Sequence, residues 1–114
     1  MIAQSAGASA DVTIDPGYPV TRNDPNLTRR MVPVLEAVAG KGHARSADLV
    51  MGSEDFSYYQ QQIPGLYFFL GVTPQSADPN KAPRCHSPYF YVDESALVLG
   101  VRALARLTLA YMGQ

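Results

Sequence analysis

The chain has 114 residues, with 9 basic and 10 acidic side chains and a formal net charge of -1. That balance excludes an electrostatic drive toward nucleic acid or an anionic membrane, and the 46% apolar fraction excludes a disordered chain. A single cysteine, Cys85, excludes an internal disulfide and fits a reducing, cytoplasmic location.

The length suits one domain, with the thin stability margin of a small core. No apolar run approaches a membrane span, and the N-terminus lacks the basic start and apolar core of a secretory signal. Small residues crowd the first ten positions. "ADVTID" (10–15) then alternates Val12 and Ile14 with polar neighbours, the period of a half-buried strand. "PGYPVTRNDPN" holds three prolines and is expected to be extended and turn-rich. Asp24 followed by Pro25 marks a helix start, and Leu27, Met31, Val34, Leu35 and Val38 recur at helical spacing. Pro33 should kink that helix, and Gly40 or Gly42 should end it.

"ADLVMG" (47–52) predicts a short apolar strand. Ser53 is placed to cap a following helix, with Glu54 and Asp55 in its positive first turn. Phe56, Tyr59 and Ile63 share one face of that helix, which Pro64-Gly65 stops. "LYFFLGV" (66–72) reads as a strand buried on both faces. A loop follows. "CHSPYFYV" is expected to be extended, because Ser87 precedes proline. Asp93 caps a last helix over 94–112, apolar nearly all round, with Arg102 and Arg106 on its one polar stripe. Such a helix needs cover on most sides, which a chain of this size hardly supplies. The element order predicts an α/β layer structure with a partly parallel sheet.

Few residues offer chemistry. His86 could be a metal ligand or a base, or simply a histidine bonded to backbone. Cys85, its neighbour, should point the other way on an extended chain and pack as a small hydrophobe. Glu54 and Asp55 either stabilise a helix start or stand beside a metal or a substrate amine. The tyrosines and phenylalanines of 58–59, 67–69 and 89–91 read as packing, and His43 as an exposed loop residue. No phosphate-cradling glycine loop and no CxxC occurs.

"MGSEDFSYY", "IPGLYFFLG" and "HSPYFYVDESALVLG" together resemble the C-terminal part of the zinc amidohydrolases and metallocarboxypeptidases: the aminoacylase, hippurate hydrolase and indole-acetyl-amino-acid hydrolase relatives. "YPVTRNDPNL" is similar to that family's return from its small lid, or dimerisation, domain to the catalytic domain. The resemblance implies a partial zinc-peptidase-like sheet-and-helix layer. Residues 1–22 would end the lid and 23–114 would form the C-terminal part of the catalytic domain. It implies a divalent metal, zinc or manganese, in the complete enzyme, with His86 at a ligand position. It also implies a bridging water activated by a glutamate base to attack an amide carbonyl. Gly52 and Ser53 would border the substrate, and Glu54 and Asp55 would orient that loop rather than ligate. The family's remaining ligands and its base have no counterpart here, so no catalytic residue is assigned.

The expected function is therefore the C-terminal portion of a metal-dependent amidohydrolase acting on N-acyl amino acids or dipeptide-like amides. Alone it should be inactive and bind metal weakly or not at all. The alternatives are a non-catalytic half of a split enzyme and a truncation product without function. Expected partners are the missing N-terminal half, or a second copy through exposed apolar surface, with neither nucleic acid nor membrane.

Overall fold

The computed structural model describes residues 2–113. Two helices organise them. α1 is a single turn, Ile2–Ser5. α2 spans Pro25–Ala39, α3 spans Phe56–Gln60 and α4 spans Glu94–Met112. α2 begins where its sequence says it should. The Asp24 carboxylate accepts from the Leu27 N–H at 2.7 Å, Pro25 fills the first turn, and the Gly40 N–H bonds back to the Glu36 carbonyl. The helix continues through exposed Pro33. α4 starts in the same way, with Asp93 accepting from the Ser95 N–H at 3.0 Å.

α2 and α4 pack on each other, and their contact is the core. Met31 on α2 and the small Ala96 and Ala103 on α4 are its buried apolar residues. A buried Met contributes about 1.5–3 kcal/mol, so this core is slight. Gly100 continues the small-residue side of α4. A Cβ there would lie 2.9 Å from Leu70 Cδ2, so the glycine lets the 66–72 segment lie close against the helix. The opposite side of α4 is bare: Leu97, Val101, Leu104 and Leu109 are all exposed. By length and composition α4 could also cross a membrane, which overturns the expectation that no stretch reaches such a length. Arg102 and Arg106 lie within it, and the same test is passed by core helices.

The predicted sheet is not formed. Among the described residues there is no strand, and the segments 10–15, 47–52 and 66–72 run without ladder partners. The physical reason is visible at Tyr67. Its N–H donates to Asn23 Oδ1 and its carbonyl accepts from Asn23 Nδ2, both at 2.7 Å, so a side-chain amide occupies the place of a neighbouring strand's peptide. Asn23 Oδ1 also accepts from Gln60 Nε2, Gln60 Oε1 accepts from the Arg22 N–H, and the Asp24 N–H donates to the Gly65 carbonyl. Polar side chains thus tie the start of α2 to residues 60–67.

The "CHSPYF" stretch is turned, not extended. The Ser87 N–H bonds to the Arg84 carbonyl and the Phe90 N–H to the Ser87 carbonyl, giving two consecutive turns. Serine at the first position and proline at the second are the favoured occupants of such a turn, and the Ser87 hydroxyl accepts from the Tyr89 N–H. Residues 2–22 contact the remainder through Tyr18, whose ring lies 5.5 Å from that of Tyr58, and through Arg22.

The result is an open molecule. Its radius of gyration is 19.7 Å, against about 13 Å for a compact domain of this length. It exposes 9992 Å2. A compact chain of 12.4 kDa exposes about 6,100 Å2, leaving a surplus of roughly 3,900 Å2.

Candidate functional site

The residues singled out in the sequence lie on two loops that approach Tyr67. The first loop leads into α3. Asp55, not Ser53, holds the N-cap position, and its side chain makes no cap bond. The turn is fastened from the other side. The buried Ser57 donates both its N–H (3.2 Å) and its hydroxyl (2.6 Å) to the Glu54 carbonyl. α3 is only five residues long, so its start carries little dipole, and the expected Ser53 cap with Glu54 and Asp55 in a first turn gives way to this arrangement. Gly52 and Ser53 are exposed beside it, and Glu54 is half-buried.

Glu54 turns toward Tyr67. The influence of its carboxylate on the phenol comes first, and with burial and the charges of Glu54, Asp55 and Cys85 it raises Tyr67 above the usual 10.0. Tyr67 is also the hub of an aromatic cluster, 5.7 Å from Phe56 and 5.4 Å edge-on from Phe69. Glu54, Asp55, Tyr67 and Cys85 therefore share one electrostatic neighbourhood, built by the start of α3, the 66–72 segment and the 84–87 turn.

His86 occupies that turn, exposed, at φ 71°. A non-glycine residue there is uncommon, although histidine tolerates it better than most. Cys85 is a free, exposed thiol rather than a buried hydrophobe. Among the described residues no three His, Cys, Asp or Glu side chains cluster closely enough to hold a metal ion. A catalytic zinc takes three protein ligands and a structural one four.

Beside these loops lies a groove of about 960 Å3. Val32 and Leu35 of α2, Leu99 and Ala103 of α4, and residues of the 47–52 and 66–72 segments line it; Glu54 stands along it. The residues that sequence reasoning missed are Asn23, Gln60 and Tyr67. Asn23 stood in a stretch read only as turn-rich, and nothing local announces that its amide will reach a residue 44 positions away.

A family model described as peptidase family M20/M25/M40 matches residues 5–110. The chain belongs to this family. Among curated proteins it is 32% identical to "Putative amidohydrolase YhaA" of Bacillus subtilis over 110 residues, covering 96% of this chain and 27% of YhaA. It is 37% identical to IAA-amino acid hydrolase ILR1-like 4 of Arabidopsis thaliana over 97 residues (85% and 22%). It is 35% identical to thermostable carboxypeptidase 2 of Saccharolobus solfataricus over 109 residues (92% and 26%). The chain thus spans about a quarter of the length of these M20 relatives. No solved structure matches it.

Proposed function

We propose that this chain is the C-terminal portion of a metal-dependent M20 amidohydrolase that cleaves N-acyl amino acids or dipeptide-like amides, and that it has no hydrolytic activity alone. One observation carries the reading. Nearly the whole chain aligns with proteins named as an amidohydrolase, an amino-acid-conjugate hydrolase and a carboxypeptidase, yet it covers only 22–27% of each. All three names denote hydrolysis of an amide-type bond, and two of them name an amino-acid conjugate or a carboxypeptidase.

In this reading His86 contributes one ligand to a divalent ion, zinc or manganese, whose chemistry in the complete enzyme is to polarise the amide carbonyl and supply a nucleophile at neutral pH. Gly52 and Ser53 border the acyl-amino acid, and Glu54 and Asp55 orient that border. The influence of Glu54 on the Tyr67 phenol fits an orienting role for that carboxylate. The α/β sheet layer expected for the family would be completed by chain outside this one. A cytoplasmic setting is consistent with the exposed free thiol of Cys85.

The test is hydrolysis of an N-acyl amino acid by the purified chain with zinc, manganese or cobalt. No turnover above background is expected. Turnover that disappears in His86→Ala would overturn the assignment of the chain as an incomplete site.

A further inference from the structure

We propose that Gln60 is a positioning residue for the 52–55 border: from α3 it holds that border in place against the start of α2 and Tyr67. The inference rests on the reading of Gly52 and Ser53 as the edge of an acyl-amino acid site. Its first support is the way one amide reaches two distant partners. Gln60 Oε1 accepts from the Arg22 N–H at 2.9 Å, and its Nε2 donates to Asn23 Oδ1 at 3.3 Å. Asn23 in turn accepts from the Tyr67 N–H and donates to the Tyr67 carbonyl, both at 2.7 Å. The place calls for a side chain that both accepts and donates, which an amide does without charge. Glutamine occupies 60, 61 and 62 in succession, yet Gln61 and Gln62 are exposed and Gln60 is half-buried.

The second support is the space kept for the Gln60 stem. Gly65 is buried, and a Cβ there would lie 2.7 Å from Gln60 Cγ. The missing side chain lets Gln60 pass over residue 65 toward Arg22. The Gly65 carbonyl meanwhile accepts from the Asp24 N–H at 3.0 Å. Residues 22–24, 60 and 65–67 are thus tied together around the reach of one glutamine.

The third support links Gln60 to the border. α3 has five residues, about one and a half turns, so its two ends move together. Its one buried residue, Ser57, donates its N–H (3.2 Å) and its hydroxyl (2.6 Å) to the Glu54 carbonyl, directly after Gly52 and Ser53. No apolar residue of α3 is buried. The helix is placed by Gln60 at one end and by the Phe56 ring, 5.7 Å from Tyr67, at the other, while Tyr58 adds an exposed contact with Tyr18. His86 sits on the separate 84–87 turn. Displacing α3 therefore shifts the edge that meets substrate and leaves the His86 turn alone, a loss that falls on KM rather than on kcat.

The experiment has two arms. In the first, NMR follows amide exchange of the free chain in Gln60→Ala, Gln60→Glu and Gln61→Ala. Gln60→Ala should speed exchange at Arg22 and Ser57 by about tenfold and leave Met31, in the α2–α4 core, unchanged. Gln60→Glu still accepts from the Arg22 N–H but cannot donate to Asn23, so it should keep Arg22 protected and loosen Tyr67. Gln61→Ala should change nothing. Unchanged Ser57 exchange in Gln60→Ala, an equal effect of Gln61→Ala, or loss of protection at Met31 as well would overturn the inference. In the second arm the chain is co-expressed with the part of YhaA outside the matched region, as a separate polypeptide, and hydrolysis of an N-acyl amino acid is measured. Gln60→Ala should raise KM about fivefold with kcat within about twofold, and Gln60→Glu should fall between. A fall in kcat at unchanged KM would overturn the inference. A pair that is inactive with Gln60 in place sinks the amidohydrolase reading, and the exchange arm then decides alone whether Gln60 holds the loop.

Discussion

Asn23→Ala should release the 66–72 segment from α2. The substitution removes two hydrogen bonds of 2.7 Å to the Tyr67 backbone and one of 3.3 Å from Gln60. Each good bond contributes about 1 kcal/mol net, and partly buried groups left without partners cost more, so the local loss is about 2–3 kcal/mol. At 1.4 kcal/mol per tenfold, the Tyr67 amide should then exchange about 30- to 150-fold faster. Asn23→Asp should fall between, because a carboxylate still accepts from the Tyr67 N–H but has nothing to donate to its carbonyl. Asn26→Ala is the control: its side chain only accepts from exposed Arg29, and the change should stay within about 0.5 kcal/mol. Amide exchange followed by NMR reads all three. Equal Tyr67 exchange in Asn23→Ala and Asn26→Ala would refute the idea that a side-chain amide substitutes for a strand.

Gly65→Ala should destabilise by about 1–3 kcal/mol in urea unfolding, since a Cβ there would meet Gln60 Cγ at 2.7 Å and the Phe56 ring at 3.2 Å; an unchanged midpoint would contradict that packing. Glu54→Ala should bring the Tyr67 phenol down toward its usual 10.0, measured by NMR titration. Because the folded value is raised, the linked stability is present below that pH and is lost as pH rises through the folded value, and the variant should lose this alkaline sensitivity. Asp93 lies below its usual 3.8 because Ser95 bonds to it through hydroxyl and N–H, so its cap persists above that value and is lost as pH falls through the lower folded one. Amide protection at the start of α4 should decline on acidification, and Asp93→Asn should flatten the decline. Zinc should bind no tighter than about micromolar, some -8 kcal/mol, by calorimetry; stoichiometric nanomolar binding lost in His86→Ala would reveal ligands that the fold keeps apart.

The helices were legible because their signals are local. Asp24-Pro25 and Asp93 each place a carboxylate on an N–H within three residues, and helical spacing brought Met31 inward. The strands were not, because a strand is defined by its neighbour. "LYFFLGV" has the composition of an interior strand and lies where Asn23, rather than a second backbone, meets it. The 84–90 stretch failed for a different reason. The rule that a residue before proline is extended competed with the preference of Ser-Pro for the opening of a turn, and the turn prevailed. Resemblance alone singles out His86 and Gly52 to Asp55 as site residues. The convergence of Glu54, Asp55 and Cys85 on Tyr67 depends on contacts between distant segments that no local pattern announces.

The most direct measurement of the proposed function is hydrolysis of an N-acyl amino acid by the co-expressed pair of this chain and the unmatched part of YhaA, with manganese or zinc supplied. The expected result is turnover by the pair, none by either polypeptide alone, and loss of turnover in His86→Ala while the pair still assembles. An assembled pair that hydrolyses no N-acyl amino acid or dipeptide, or one whose activity is indifferent to His86→Ala, would contradict it.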